Sequence, residues 1–300
     1  MAYSKDTDAG LIVPKKWWES LPRPTWKRFQ QVETEQLWFD VYEVTPECYA
    51  LYESGQFEEV ISYLVLGEDK AALIDTGNGI GDVKALVEEL TDLPTTVVNT
   101  HAHADHTGGN WQFDDVALYE NPFSRARLRG RTHEEMGNFL GEGMVWKPLP
   151  RGFNSATYAS KPFKVTQWMG EGDVIDLGGK FLEITYTPGH TPDSVSILEQ
   201  KEKLLFTGDI FYTAPIYIYS KDSSIDEFIS SFQKMVALPY VWAMPAHNEA
   251  KVEKKVLEDV LKAIESIKNG AAGTYKSGVA NGINVRRYDY PRFALVVRDE

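Results

Sequence analysis

Residues 100–110 read THAHADHTGGN, and this stretch decides how the rest of the chain is interpreted. The apolar residues before it predict a strand, and alternate residues of a strand share a face, so His101 and His103 should point to the same side. Asp105 and His106 follow at the start of a predicted helix. Three of the chain's six histidines lie in this stretch, which disfavours their interpretation as solvated turn residues. Imidazole and carboxylate groups are typical ligands of hydrolytic metal sites, so the stretch predicts a site for one metal ion or for two close together.

Composition excludes several classes of function. The 300 residues are 43% hydrophobic and 25% charged, as in an ordinary globular protein with one large domain or two smaller ones. A formal net charge of −13 argues against a nucleic-acid partner, because such binding depends on Lys and Arg. The single cysteine, Cys48, excludes an internal disulfide. The sequence has no signal-peptide pattern or membrane-spanning window, so we expect a cytoplasmic protein with no membrane partner.

Residues 1–36 are predicted to form an N-terminal arm, and residues 37–300 a single domain. The arm mixes prolines and basic residues with Trp17, Trp18 and Trp26. Tryptophans carry large apolar surfaces that are costly to leave in water, so they should be covered. The arm either docks on the body of its own chain, or it forms a homodimer contact or a lid over the site.

The order of predicted strands and helices is typical of an α/β protein. The first half has short strands at hairpin spacing, followed by a helix and a buried strand that leads into the histidine-rich stretch. That position, just past the carboxyl end of a strand, is where α/β sheets place their sites. The loop at residues 141–160 carries Trp146, Phe153 and Tyr158, which we interpret as a wall for the substrate. The predicted strands are 37–44, 48–52, 60–66, 71–74, 95–99, 163–168, 181–187, 194–198, 204–206 and 241–247, with two more within 283–297; the main predicted helices are 83–90, 225–238 and 252–267.

Three further candidate ligands lie at the ends of predicted strands in the second half. His190 lies in Pro-Gly-His-Thr, Asp209 in Thr-Gly-Asp and His247 in Pro-Ala-His. Each of them alone is a weak signal, since a histidine after a strand is often a core residue. Their order after the histidine-rich stretch makes the set specific. His133 has no second histidine one helical turn away, so we interpret it as a surface residue.

These motifs, with Asp75 in Asp-Thr-Gly, resemble those of the metallo-β-lactamase superfamily over residues 37–267. The resemblance implies an α/β fold, a four-layer αβ/βα sandwich of two similar halves. It implies two divalent metal ions, most commonly Zn²⁺ with Fe or Mn as alternatives. Asp75 would support the site through hydrogen bonds. The implied ligands are His101, His103 and His190 for one ion and Asp105, His106 and His247 for the other, with Asp209 bridging them.

The resemblance also implies a reaction. Two metal ions about 3.5–4 Å apart can hold a bridging hydroxide at neutral pH, which attacks a carbonyl or phosphoryl centre. Asp105 would orient it and carry a proton to the leaving group. Tyr212 matches a tyrosine that touches the substrate oxygen in bacterial lactonases, and we favour this role over that of a packing residue. The bridging Asp209 disfavours β-lactam hydrolysis.

The predicted function is therefore hydrolysis of an ester, lactone or thioester bond in a small-molecule substrate. The retained alternatives are a mononuclear iron dioxygenase of the same fold, a phosphodiesterase, and a non-catalytic binding module. The acidic charge disfavours highly anionic substrates such as coenzyme A esters unless Lys147, Arg151 or Lys221 lines the pocket.

Overall fold

The computed structural model describes residues 16–299, in which the strands form three sheets. The first sheet has eight strands in chain order. Neighbours are antiparallel as far as the fifth strand and parallel from the fifth to the eighth. The strands are β1 (Gln30–Val32), β2 (Asp40–Thr45), β3 (Cys48–Tyr52), β4 (Ile61–Leu66), β5 (Ala71–Ile74), β6 (Thr95–Val98), β7 (Val116–Tyr119) and β8 (Gln167–Met169).

The second sheet has six strands, and the third has four. The second contains β9 (Val174–Asp176), β10 (Phe181–Tyr186), β11 (Val195–Glu199), β12 (Leu204–Gly208), β14 (Trp242–Pro245) and β15 (Val252–Glu253), in the order β15-β14-β12-β11-β10-β9. The third contains β13 (Pro215–Ile218), β16 (Lys276–Ala280), β17 (Ile283–Asp289) and β18 (Ala294–Arg298), in the order β13-β18-β17-β16. The sequence predicted the last two strands but not the sheet that they form with β13 and β16.

Two longer helices cover the second sheet, and one helix covers the first. The helices are α1 (Val83–Leu90), α2 (Ala104–Thr107), α3 (Pro122–Arg125), α4 (His133–Met136), α5 (Ile225–Ala237) and α6 (Lys254–Lys268), with 3₁₀ turns at Trp17–Ser20, Pro24–Arg28, Asn110–Gln112 and Ser155–Thr157. The α1 helix begins at the cap Asp82, whose carboxylate accepts from the Ala85 N–H at 3.0 Å. None of the helices within residues 16–299 has the length and apolar character needed to cross a membrane.

The layers follow from how the apolar faces are buried. The inner faces of the first two sheets pack against each other, for example through Tyr63 and Phe206, whose rings are 5.2 Å apart. The outer face of the first sheet packs on α1, and that of the second packs on α5, α6 and the third sheet. The predicted four-layer αβ/βα arrangement is confirmed, with the third sheet as an addition.

The described part of the N-terminal arm, from residue 16, packs on the body of the chain. The β1 strand lies before residue 36 and pairs with β2 after it, so the first sheet continues across that position. Trp17 and Trp26 are buried, and Trp18 is half-buried. Residues 1–15 of the arm lie outside the described residues. The homodimer contact stays a prediction.

Candidate metal centre

Four candidate ligand atoms form what we call the first cluster, contributed by His101, His103, His190 and Asp209. They lie within 4.8 Å of one another. The Nε2 atoms of His101 and His190 are 3.9 and 3.5 Å from Asp209 Oδ2, and His190 Nε2 is 3.2 Å from His103 Nδ1. Three imidazole nitrogens and one carboxylate oxygen therefore converge on one point.

Asp105, His106, His247 and again Asp209 form the second cluster, whose ligand atoms are also within 4.8 Å of one another. His106 Nε2 is 3.2 Å from Asp105 Oδ2 and 3.2 Å from Asp209 Oδ1. His247 Nε2 is 2.8 Å from Asp209 Oδ1. Asp209 thus presents one oxygen to each cluster. All seven sequence-predicted ligand residues are brought together in this way, around the carboxylate expected to bridge.

Both clusters combine the first sheet with the second. His101, His103, Asp105 and His106 follow β6, whereas His190, Asp209 and His247 follow β10, β12 and β14. The Val195 N–H donates to the Thr100 carbonyl at 2.8 Å and holds the two strand ends together. Gly208 before Asp209 has φ +51°, and a Cβ there would lie 2.6 Å from Thr100 Oγ1. A glycine at this position therefore lets Asp209 approach the end of β6.

Buried hydrogen bonds orient three of the imidazole rings. His106 Nδ1 lies 2.9 Å from Asp75 Oδ2, and the same carboxylate accepts from the Thr100 N–H and hydroxyl. His190 Nδ1 donates to the Tyr217 carbonyl at 3.3 Å, and His247 Nδ1 donates to the Glu58 carbonyl at 2.5 Å. A carbonyl can only accept, so the Nδ1–H tautomer is fixed and Nε2 is left free to act as a ligand.

Unpaired polar atoms test whether the site fits metal ions. The Nε2 atom of His101 is buried without a hydrogen bond, and the Nε2 atoms of His106 and His247 meet only the carboxylate oxygen Asp209 Oδ1, at 3.2 and 2.8 Å. A buried polar atom costs about 1–3 kcal/mol when it is left unsatisfied. Five imidazoles and two carboxylates are the ligand types of divalent transition metals. The residues therefore fit two divalent cations.

Protonation differs between the two clusters. Burial lowers the pKa of His101, His103 and His190 and keeps these imidazoles neutral, as a metal ligand must be. In the second cluster burial acts in the same direction, but Asp209 and Asp105 outweigh it and raise the pKa of His247 to about 9. The carboxylates thus favour positive charge at the second cluster, which is the charge that a cation would supply.

The sequence matches the family model described as Metallo-beta-lactamase superfamily over residues 57–247. The chain belongs to this superfamily. It is 29% identical to the acyl-coenzyme A thioesterase MBLAC2 of Gallus gallus over 196 residues, which cover 62% of this chain and 69% of the relative. It is 27% identical to the hydroxyacylglutathione hydrolase GloC of Haemophilus influenzae over 164 residues, which cover 53% of this chain and 70% of the relative.

Solved structures of metallo-β-lactamases share the fold. The enzyme from Pontibacter korlensis superposes with a TM-score of 0.57 at 18% identity, covering 76% of this chain and 99% of that structure. A superfamily protein from Sulfolobus tokodaii superposes with a TM-score of 0.51 at 21% identity, covering 72% and 84%. At such identities these similarities concern the fold alone.

In this metallo-β-lactamase-superfamily chain, both clusters open into one cleft. The residues that line it include Trp17, Arg23, Phe57, Tyr217 and Arg287. The arm therefore contributes directly to the cleft and docks on its own chain. Its action as a lid stays a prediction. Arg23 and Arg287 were missed from the sequence because no local motif surrounds them.

Three aromatic residues predicted as a substrate wall do not line this cleft, so that interpretation was wrong. The Tyr158 hydroxyl donates to the Asn78 carbonyl at 2.6 Å, and the Phe153 ring packs on Tyr158. Trp146 donates to the Ser54 carbonyl at 2.5 Å. These bonds hold the loop that carries them against the segments that follow β3 and β5. The basic residues proposed with them, Lys147, Arg151 and Lys221, are also absent from the cleft lining.

Tyr212 lies beside the second cluster. Its ring centroid is 5.0 Å from that of His247, and the residue is buried at the cleft wall. Burial raises the pKa of its hydroxyl well above the ordinary value, so the group stays protonated and can donate a hydrogen bond. The geometry allows the predicted contact with a substrate oxygen.

Asp193 is a supporting residue that the sequence analysis missed. Its carboxylate accepts from the Ala102 N–H at 3.0 Å, from the Ser124 hydroxyl at 2.8 Å and from the Thr191 hydroxyl at 2.7 Å. It thereby joins the loop of His101 to the loop of His190 within the first cluster. The sequence signal was its position three residues after His190. His133, in contrast, is exposed as predicted.

Proposed function

We propose that this chain is a dinuclear metal-dependent hydrolase that cleaves acyl thioesters. The observation that carries the proposal is the pair of four-residue clusters that share the two oxygens of Asp209. A mononuclear site would have no use for Asp105, His106 and His247, and these residues are buried together. Relatives named as a thioesterase and as a hydrolase support metal-dependent hydrolysis as the class of reaction.

Thioesters are favoured within that class by the names of two relatives. One is a thioesterase of acyl-coenzyme A, and the other is a hydrolase of hydroxyacylglutathione. Both names describe an acyl group on a thiol carrier. The cleft suits such a substrate, because Trp17 and Phe57 meet edge to face at 5.9 Å and offer an apolar surface for the acyl chain. Arg287 lies on the cleft wall, where its Nε donates to Asp289 at 2.7 Å and its guanidinium would meet an anionic carrier.

His101, His103, Asp105, His106, His190, Asp209 and His247 would hold the two ions. Bound divalent ions supply polarisation of the acyl carbonyl and a water of lowered pKa. His106 and His247 keep their Nδ1 protons on Asp75 and on the Glu58 carbonyl, so their Nε2 atoms stay available throughout the reaction.

Two side chains at the clusters would act on protons. Burial alone would raise the pKa of the Asp105 carboxyl group, but His106 outweighs burial and lowers it. Asp105 therefore stays ionised and would orient the attacking water. It can then carry the proton to the leaving group. Tyr212 donates its hydroxyl hydrogen to the substrate oxygen. A thiol leaves as a thiolate with an ordinary pKa of about 8.5, so thioesters need less help from an acid than oxygen esters do.

The test combines metal analysis with a substrate panel. The purified protein is analysed for zinc, iron and manganese and assayed with acyl-coenzyme A, S-acylglutathione, matched oxygen esters, lactones and phosphodiesters. We expect two ions per chain and the highest kcat/KM on a thioester, followed by release of free thiol. One iron per chain with oxygen uptake would replace the proposal with the dioxygenase, and hydrolysis of phosphodiesters alone would replace it with a phosphodiesterase.

A further inference from the structure

Two short segments hold His247 in place, and we call the pair the clasp: residues 58–60 and residues 247–248. The segments meet in an antiparallel bridge between Val60 and His247. The Asn248 N–H donates to the Glu59 carbonyl at 3.3 Å, and His247 Nδ1 donates to the Glu58 carbonyl. Glu59 and Asn248 have φ values of +49° and +65°. Residues other than glycine rarely adopt such values, so the surrounding structure must hold the clasp in this shape.

The N-terminal arm contacts both segments of the clasp. Arg23 Nε donates to Glu59 Oε2 at 2.8 Å, and its Nη2 donates to the other carboxylate oxygen. The Tyr52 hydroxyl also donates to this carboxylate. On the other segment, Trp26 Nε1 donates to the Asn248 carbonyl at 2.9 Å. The arm therefore binds one side chain of the first segment and one backbone group of the second.

These contacts are buried and are expected to be stiff. Glu59 and Trp26 are each 1% exposed. The Trp26 ring stacks on Tyr52 with centroids 4.4 Å apart and an interplanar angle of 16°. A bidentate Arg–carboxylate pair fixes orientation as well as distance. Loss of the guanidinium would leave the Glu59 carboxylate without its counter-charge inside the protein, so the segment would have to rearrange.

We propose that Arg23 and Trp26 are positioning residues for the second cluster, acting through the clasp on His247. This inference rests on the dinuclear site of the proposed function. The first cluster draws on His101, His103 and His190 and shares only Asp209 with the second, and the contacts of Arg23 and Trp26 described above involve none of these four residues. The arm should thus control affinity for one of the two ions and leave the other unchanged.

Stepwise metal binding tests the inference without any assay of activity. Metal-free protein is titrated with Zn²⁺ against a chromophoric chelator and with Co²⁺ followed by its visible spectrum, for the wild type, Arg23→Gln, Arg23→Lys and Trp26→Phe. Loss of a partner bonded directly to a metal ligand typically weakens affinity about 10–100-fold. Arg23 acts one contact further away, through Glu59, so we expect about the lower end of that range for the second ion in Arg23→Gln. We expect the first ion to bind as in the wild type, Arg23→Lys to recover part of the loss, and Trp26→Phe to show a smaller loss.

The control is Arg28→Gln, an exposed arm residue that donates to the Lys251 carbonyl away from the clasp. It should bind both ions as the wild type does. If Arg23→Gln does not fold, Trp26→Phe decides the question, because it keeps an aromatic ring beside Tyr52 while it removes the hydrogen bond to Asn248 and part of the buried ring. Equal weakening of both ions, or no weakening of either, would overturn the inference. A wild-type protein that binds fewer than two ions would instead overturn the proposed function.

Discussion

Glu53 allows a prediction of how stability depends on pH. It is 1% exposed and accepts hydrogen bonds from Trp38 Nε1 at 2.7 Å and from the Asn78 N–H at 2.7 Å. Burial nevertheless raises its pKa from the ordinary 4.5 to about 7. The folded state therefore binds the proton more tightly than the unfolded state does. Stability from this group is fully present below pH 4.5 and is lost as the pH rises to about 7.

The magnitude follows from the difference between the two pKa values. At about 1.4 kcal/mol per pKa unit, the free energy of unfolding should fall by about 3 kcal/mol across this window. Glu53→Gln carries no proton to lose, so the wild type should lose about that much stability relative to the variant between pH 4.5 and pH 8. Urea unfolding of both metal-free proteins across the pH range measures the difference.

A matched control separates this effect from other titrations. Glu88→Gln changes an exposed carboxylate on α1 in the same way, and the pH dependence for Glu53→Gln is compared with the one that this variant shows. Site histidines titrate in every protein compared, so their contribution cancels in the differences. A difference between wild type and Glu53→Gln that is flat, or that has the opposite slope, would refute burial as the dominant effect on Glu53.

Three predictions concern the site itself. His103→Ala removes one ligand atom of the first cluster and should abolish hydrolysis of the thioester and lactone panel while circular dichroism stays native; full activity would contradict the mechanism. Tyr212→Phe keeps the packing ring but removes the hydroxyl donor. For oxygen esters kcat should fall about 10–100-fold with KM little changed, and kcat for thioesters should fall less. Equal effects on matched oxygen esters and thioesters would argue for a packing role. Arg287→Gln should raise KM about tenfold, roughly the 1–2 kcal/mol of a charge-assisted hydrogen bond, for thioesters of anionic carriers and not for neutral ones. Its control is Arg286→Gln on the same strand: Arg286 pairs with Asp299 at 3.1 Å as Arg287 pairs with Asp289 at 2.7 Å, but it is not among the residues that line the cleft.

The sequence predicted local features well because they depend on neighbouring residues. The bounds of β3, β5 and α1 agree with the predicted 48–52, 71–74 and 83–90, because turn residues and the spacing of the apolar residues are clear there. The candidate ligands could be found because motifs at strand ends imply convergence at one edge of a sheet. Their grouping came from the family resemblance, and the geometry brings them together in the same two groups.

The rest depends on contacts between distant parts of the chain. The β13 strand pairs in parallel with β18, far along the sequence, so no hairpin spacing announces the third sheet. The bond from Arg23 to Glu59 and the bonds to Asp193 join residues whose own surroundings in sequence are unremarkable. The aromatic loop at 141–160 shows the converse, since its composition indicated a wall but its tyrosine and tryptophan found carbonyl partners elsewhere.

Each cluster takes ligands from both large sheets, so bound cations would link the two sheets to each other. An ion held by His101, His103 and His190 would connect one half of the sandwich to the other, and Asp209 would be a ligand of this ion and of the second one. Separation of the halves would then require release of both ions. Loaded protein should resist proteolysis and unfold as one unit, whereas stripped protein should open along the seam between the sheets.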